Sequence, residues 1–505
     1  MRISRIGLVA FSFVALFSLL ASTTVADWDP QNGDWGKEDA THIRVMTYNI
    51  LDNINSQELK VEQRNPWTAL ARIVAAMKPD LLILQEVGDK AGGVDSVADL
   101  ETTIELFFHG GTDPFRGGSV TAYVQKYAPT YDLPYIFVST DTDGFNRNVI
   151  VSRFPFSDLN GDGKSELSNI DFLFADEYAP GGDGGIRGFM FAEVDLPDTE
   201  YVSDLVIGNV HMKAGGSSSD RAQRLTASQN VAYWIDYLLN GAGTGSPDPN
   251  NKIRDNPPVS GILPAGTAVL WGGDLNEDEN TNGRKGPVEW LARAQQTGGT
   301  DGTDVDRSDS SFDDARDLFT NDRETLGSSK LDYIMWQDSV PTLVRDWIFE
   351  AATVPSQGLP PELNGFIGGG NTVSFWASDH LPVLADFELP VPDVTVAVDP
   401  QSLSAPVGGD LFFDASVTRR IASTYSGEAW IDVLDPNGDP FYASNPRFGP
   451  KSFSLQPLQT KQKTDIRVRV PGSKTPGTGY KVRSYVGTFP NNVLHTAEFE
   501  FEITP

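Results

Sequence analysis

Seven short runs of β-branched, aromatic and large aliphatic residues set the fold class of this chain: Ile43 to Asn49, Leu81 to Gln85, Asn148 to Ser152, Leu205 to His211, Ala268 to Gly273, Leu331 to Trp336 and Pro382 to Phe387. Runs of this length with that composition read as strands. Between them, Trp67 to Met77 and Ser219 to Leu239 carry apolar residues at helical spacing, the second opening on Ser219 and Asp220 as a helix start should. Strands alternating with helices predict a mixed α/β domain. The segments 241–266 and 297–311 are rich in Gly, Asp, Asn, Ser and Pro without periodicity, and read as surface loops. Beyond Leu389-Pro390-Val391-Pro392 only alternating strand patterns remain, separated by turn signals such as Asp435-Pro436-Asn437-Gly438. The expected organisation is an α/β domain over 27–390 followed by an all-β sandwich over 391–505.

The first 26 residues fit neither unit. Arg2 and Arg5 precede an apolar run from Ile6 to Ala21, and small residues follow to Ala26, the order of an export signal with its cleavage site. The run is short for a membrane span of about 20 residues, and no later segment is long and apolar enough for one. The expectation is a secreted or periplasmic protein cleaved near Ala26. The chain has no Cys, so it folds without disulfides, and thiolate-held metals are excluded. Any ion must be held by carboxylate, amide, imidazole or water, which suits Mg²⁺, Mn²⁺ or Ca²⁺. The formal net charge is -30. From Val391 onward about 11 basic residues face about 12 acidic ones, so the excess lies in the α/β part. A protein that grips nucleic acid through many phosphate contacts is basic on one face, and this composition argues against such a binder. It leaves room for an enzyme whose bound ion offsets the field at one cleft.

Chemically capable side chains recur where the strand-like runs end, which places them at the rim of a sheet. Val45-Met46-Thr47-Tyr48-Asn49 ends in an amide, Leu82-Ile83-Leu84-Gln85-Glu86 in a carboxylate, and Ile207-Gly208-Asn209-Val210-His211 in an imidazole. Gly272-Gly273-Asp274-Leu275-Asn276 carries a carboxylate and an amide two apart, Leu331-Asp332-Tyr333 opens on a carboxylate, and Ser378-Asp379-His380 leads into the last run. In this order the six motifs resemble those of the endonuclease/exonuclease/phosphatase superfamily over roughly Ile43 to Phe387, a group that includes deoxyribonucleases, abasic-site endonucleases, sphingomyelinases and inositol-phosphate phosphatases. The resemblance implies a four-layer α/β sandwich of two mixed sheets flanked by helices, and a metal-dependent phosphoesterase.

It also implies roles. Glu86, with Asn49 and Asp379, would hold Mg²⁺ or Mn²⁺ through hard oxygen ligands. His380 would take the proton of an attacking water, oriented by Asp332. Asp274 and Asn276 would position the nucleophile and the phosphate, and His211 would donate to a phosphate or leaving oxygen. Two departures narrow the reading. Before the third run, Phe145-Asn146-Arg147-Asn148 offers amides and Arg where the deoxyribonuclease branch has a carboxylate for the earlier His, so His211 is expected to act as a donor. Leu51 stands where abasic-site enzymes carry a carboxylate, which disfavours that activity. The expected substrate is a phosphodiester, nucleic acid first, with a sphingomyelin-like lipid or an inositol phosphate as alternatives. Arg147, Arg153, Arg187, Lys213 and Arg221 are the candidate phosphate contacts, whereas exposed Phe107-Phe108 or Phe154-Pro155-Phe156 would suit a lipid. Asp158, Asn160 and Asp162 are spaced like half a Ca²⁺ loop, but Asn169 stands where its last ligand should be, so a plain turn competes with a structural ion. A non-catalytic binding protein on the same fold is the reading from a different class. The terminal β-domain shows no catalytic constellation and is a candidate for binding a surface or polymer. Oligomeric state has no signal in the sequence.

Overall fold

The structure, a computed structural model, describes residues 28–88, 94–142, 144–161, 163–168, 187–224, 227, 228, 231, 263, 264, 266–280, 310–337 and 340–505. The expected export signal lies outside them, as do most of the helix expected over 219–239 and the loops 241–262 and 297–309. No helix among the described residues is long and apolar enough to cross a membrane.

In chain order the strands are β1 (Ile43–Asn49), β2 (Leu81–Gly88), the hairpin β3 (Gly111–Thr112) and β4 (Ser119–Val120), β5 (Tyr135–Val138), β6 (Asn146–Ser152), β7 (Glu166–Leu167), β8 (Arg187–Val194), β9 (Leu205–His211), β10 (Ala268–Asp274), β11 (Ser310–Phe312), β12 (Asp332–Gln337), β13 (Thr342–Ile348) and β14 (Val383–Glu388). They build two six-stranded sheets, ordered β13-β14-β1-β2-β6-β5 and β11-β12-β10-β9-β8-β7. In each the central pair, β1 with β2 and β9 with β10, is parallel, and the flanking pairs are antiparallel. Both sheets are therefore mixed.

The strands read as nearly unbroken apolar runs because both faces of each sheet are covered. Side chains alternate between faces, so Ile43, Val45, Leu81 and Ile83 meet Leu205, Ile207, Ala268 and Leu270 of the facing sheet. The residues between them, Met46, Tyr48, Leu82 and Leu84, pack on Trp67, Leu70, Ile73 and Phe107 of helices α1 (Pro66–Met77) and α2 (Val97–His109). On the far side Val206, Val210, Val269 and Trp271 pack on Ala227 and Val231. The result is helix on sheet on sheet on helix.

Helix α1 starts where Asn65 Oδ1 accepts from Thr68 N at 3.0 Å, with Pro66 in the first turn where its missing N–H has no helical partner to lose. Helix α2 was not expected from the sequence, although Ser96 and Asp99 form a reciprocal capping box at its start. It buries Phe107 and Phe108, which removes that pair as an exposed lipid-facing patch, and Phe154 is buried as well. The buried Arg44 grips Asp386 through Nε at 2.7 Å and Nη2 at 2.9 Å, tying β1 to β14, with its guanidinium 4.9 Å from the Trp347 ring centre.

The chain leaves β14 at Glu388 and enters a β-sandwich at Val394. Its strands are β15 (Val394–Pro400), β16 (Ser404–Pro406), β17 (Asp410–Arg419), β18 (Tyr425–Leu434), β19 (Phe448–Leu455), β20 (Thr460–Arg469), β21 (Gly477–Thr488) and β22 (Asn492–Thr504). They form sheets ordered β15-β17-β20 and β16-β22-β21-β18-β19, enclosing Leu411, Phe413, Val433, Val468, Val482 and Phe501. His495 approaches Asp198 O through Nε2 at 2.8 Å.

Candidate active site

The alternation that builds the core also builds the site. Asn49 follows Ile43 and Val45 on the inter-sheet face of β1. Asn209 and His211 follow Leu205 and Ile207 on β9, Asp274 follows Ala268 and Leu270 on β10, and Asp332 precedes Ile334 and Trp336 on β12. Asp274 lies opposite His211 in one register and opposite Asp332 in the next, so three adjacent strands carry imidazole, carboxylate and carboxylate in a row. Apolar side chains fill the space between the sheets, and polar ones begin where it opens.

Two glycines and a bulge set the geometry. A Cβ at Gly273 would stand 1.8 Å from Val210 O and one at Gly272 2.3 Å from Tyr333 O, so only glycine lets β10 lie this close to both neighbours just before Asp274. Gly273 also has φ +141°. In β2 the register against β6 shifts between Leu84 and Val87, and Glu86 in that bulge takes φ +55°. A bulge re-aims a side chain, and here it leaves the Glu86 carboxylate 3.8 Å from His211 Nε2.

Asp274 Oδ2 is the hub. It accepts from Asn49 Nδ2 at 2.9 Å and lies 3.3 Å from His211 Nε2 and 3.8 Å from His380 Nε2. Its other oxygen accepts from Asn276 N at 2.8 Å, and Asn276, at φ +53°, donates through Nδ2 to Met212 O at 3.1 Å. His380 Nδ1 is 2.8 Å from Asp332 Oδ2. The backbone N of His380 donates to Ser378 Oγ, which donates to Asn49 O at 2.7 Å and so fastens the loop before β14 to the end of β1. Asp379 is exposed beside them, on the rim of a cavity of about 690 Å³ that also meets Leu51, Glu324, Glu350 and Phe375.

Electrostatics follow from burying acids together. Burial, with the Asp332 charge, pushes Asp274 up to about 7, while His380 and the Asn49 hydrogen bond pull it back. Burial alone would depress the His380 imidazole, but the charge and hydrogen bond of Asp332, with Asp274 and Asp379, push it up to about 10. Asp332 Oδ1 is buried without a hydrogen-bond partner among the described residues. Asp274, Asp332 and His380 each offer a ligand atom within 4.8 Å of one another. Buried acids this crowded, with the Glu86, Asn49 and Asp379 side-chain oxygens in the same group of motifs, make a donor set that suits a hard divalent cation, so the residues present fit one.

The structure thus brings Asn49, Glu86, His211, Asp274, Asn276, Asp332 and His380 into one network, with Asp379 at its edge. His211 has carboxylates beside it after all, supplied by Asp274 and Glu86 and not by the start of β6. Sequence reading assigned nothing to Asn209, whose Nδ2 donates to Leu84 O and Val149 O and whose Oδ1 accepts from Gln85 Nε2 at 2.8 Å, pinning one sheet to the other beneath the site. An amide inside an otherwise apolar strand was the available signal. Asp52 was also missed; its carboxylate accepts from Asn146 Nδ2.

Several candidate contacts have structural duties instead. Arg147 donates to the carbonyls of Asp95, Ser139, Thr140 and Asp141, and Arg153 pairs with Asp80 at 2.9 Å. Lys213 is half-buried, Arg221 is exposed, and the Arg187 side chain lies outside the described residues. Asp162 lies outside them too, while Asp158 accepts from Gly161 N and Gly163 N, each at 2.8 Å, which closes a tight turn.

A family model described as Endonuclease/Exonuclease/phosphatase family matches residues 46–380. No curated protein matches the chain. Among solved structures, sphingomyelinase C from Streptomyces griseocarneus is 15% identical, with 68% of this chain and 99% of that one covered at a TM-score of 0.34. A beta toxin from Staphylococcus aureus is 13% identical, with 68% and 99% covered at 0.34. A CARDB domain from Pyrococcus furiosus is 18% identical, with 22% and 94% covered at 0.17.

Proposed function

Because this chain belongs to the endonuclease/exonuclease/phosphatase family, we propose that it is an exported phosphodiesterase in which water, activated at His380, attacks phosphorus directly. The observation that carries this reading is the shared position of Asp274 Oδ2, 3.3 Å from one imidazole and 3.8 Å from the other. The longer separation is too great for a direct hydrogen bond, and a water seated beside the pair reaches both atoms.

In that arrangement His380, which a cation offsetting the carboxylate charges around it would return towards its neutral form, takes one proton of the water at Nε2. Asp332 accepts from Nδ1–H, which fixes the tautomer and balances the imidazolium that forms. Asp274, held by Asn49 and by Asn276 N, accepts the second hydrogen and so aims the water's lone pair. His211 donates from the opposite side to a phosphoryl or leaving oxygen. Glu86, with Asn49 and Asp379, would hold Mg²⁺ or Mn²⁺, which when bound supplies Lewis-acid withdrawal of charge from the phosphoryl oxygens.

For the substrate, a compact phosphodiester joined to a lipid is better supported than a nucleic-acid strand. Asp322, Glu324 and Glu350 line the cavity beside Asp379 and repel a polyanion, two of the candidate arginines are engaged elsewhere, and Phe375 at the mouth is 80% exposed. The test is turnover of plasmid DNA, RNA, sphingomyelin, inositol phosphates and a bis-aryl phosphodiester with Mg²⁺, Mn²⁺ or chelator, beside His380→Ala. Ion-dependent turnover lost in the variant supports the mechanism, and the preferred substrate names the branch. No turnover of any substrate with either ion would leave a binding protein on this fold as the reading.

A further inference from the structure

The C-terminal sandwich is closed along one side and open along the other. β20 is the edge of its first sheet and β19 the edge of its second, and a cleft of about 630 Å³ lies between them. Its floor is core: Val396, Ile431 and Ile466 are buried, and Ala415 and Val417 line it half-buried.

The lips are cationic because of a register shift. Leu411 and Phe413 face inward on β17, paired with Val468 and Ile466 of β20. An unbroken ladder would then place Thr464 and Gln462 opposite Ala415 and Val417. Instead the register slips between Phe413 and Ala415, Asp465 takes φ +56°, and Lys463 and Lys461 stand opposite Ala415 and Val417. Cross-strand partners share a face, so both lysines lie on the side that faces the other sheet. The slip is latched where Asp414 Oδ1 accepts from Asp465 N at 2.9 Å.

The facing sheet repeats the choice. Ala429 pairs with Val486, a core residue packed with Val394 and Val396, and its partner on the other side is Lys451 of β19. Three lysines from two edge strands therefore line the mouth of one apolar cleft, joined by Arg447, whose Nε is buried without a hydrogen-bond partner among the described residues. None of the four side chains forms an ion pair among the described residues; Lys461 Nζ donates to Ser454 O at 2.6 Å, and the Arg447 guanidinium lies 4.3 Å from the Tyr442 ring centre. Among the described residues no carboxylate lines the cleft. This clustering occurs in a chain of net charge -30.

We propose that this cleft binds a single-chain anionic amphiphile of the fatty-acid kind, its chain on the apolar floor and its carboxylate among Lys451, Lys461, Lys463 and Arg447. Ligand sites of this size pair a mostly apolar lining with a few converging polar groups, and here those groups share one sign. Inward-pointing lysines also serve to keep edge strands from pairing with other chains, and that role requires no ligand.

Calorimetric titration of the purified full chain with laurate, dodecyl maltoside and inorganic phosphate, each below any micelle concentration, separates the two. One laurate per chain is expected, with dodecyl maltoside and phosphate each at least about tenfold weaker, and with laurate affinity reduced about tenfold or more in Lys461→Gln/Lys463→Gln. Ala415→Trp, which fills the floor and leaves every cation in place, should abolish laurate binding, and both variants should keep the phosphodiesterase rate. No binding of laurate, equal binding of either control, or binding indifferent to both variants overturns the proposal and leaves the lysines as edge guards.

Discussion

His380 Nδ1 lies 2.8 Å from Asp332 Oδ2 although 48 residues separate them in the chain. Asp332 begins β12 and His380 sits just before β14, in the other sheet, so this one hydrogen bond spans the seam between the two halves of the sandwich.

Replacing Asp332 by Asn keeps the shape and removes the charge that stabilises the His380 imidazolium and selects its tautomer. The expected loss is about 10²- to 10⁴-fold in kcat with KM nearly unchanged, since Asp332 meets His380 and not the substrate. Steady-state kinetics on a bis-aryl phosphodiester check it. A drop in KM-dependent terms alone would count against the pairing as a catalytic one.

Glu86 is re-aimed into the site by its bulge, and its proposed task is to hold the divalent ion. Glu86→Gln retains the hydrogen-bonding shape without the negative charge. The Mg²⁺ concentration for half-maximal rate should rise by roughly 10- to 100-fold, a range typical for weakened metal sites. Rate measured against Mg²⁺ concentration decides it, and an unchanged midpoint would remove Glu86 from the ligand set.

At Gly273 a methyl group would collide with Val210 O at 1.8 Å on a backbone of φ +141°. Gly273→Ala should lower stability by about 3 kcal/mol or more, through the forced parting of β9 and β10. Gly216→Ala, where a Cβ meets nothing within 4 Å, should stay within about 0.5 kcal/mol of the parent. Denaturant midpoints of the two variants provide the comparison.

Asp346 on β13 is lifted to about 6, first by burial and then by the Asp313 charge, with Lys330 and the Asp314 backbone N–H opposing. Its protonated form is favoured in the fold, so the native chain binds more protons than the unfolded one between about pH 4 and 6, and stability from this group falls as pH rises through that window. Asp346→Asn abolishes the fall. The variant should match the parent near pH 4 and exceed it by on the order of 1 to 2 kcal/mol above pH 7, with solvent screening of this half-buried carboxyl allowed for. Thermal midpoints at the two pH values test this, and a constant difference across them would contradict it.

Much of the α/β part was legible because its strands are covered on both faces, which makes them continuous apolar runs. β1 and β9 match the runs Ile43 to Asn49 and Leu205 to His211 at both ends. The edge strand β5 and the sheet-two strand β8 went unread, as did α2. β13 was hidden because Arg345 and Asp346 interrupt it, and they are tolerated because that strand is an edge with half-exposed positions.

By itself, the sequence determined which side chains stand at strand ends, since a polar residue closing an apolar run must fall where the core stops. It also excluded thiolate-held ions, since the chain has no Cys. Only the tertiary structure decided that Asp274 is shared by Asn49 and two histidines, because those partners lie on both sheets. It also decided that Arg147 and Arg153 serve the fold, and that one bulge turns Lys461 and Lys463 inward. Alternation along a strand is local and readable from the residues. Register between strands depends on a bulge and on the packing of the opposite sheet, and these arise only when distant segments meet.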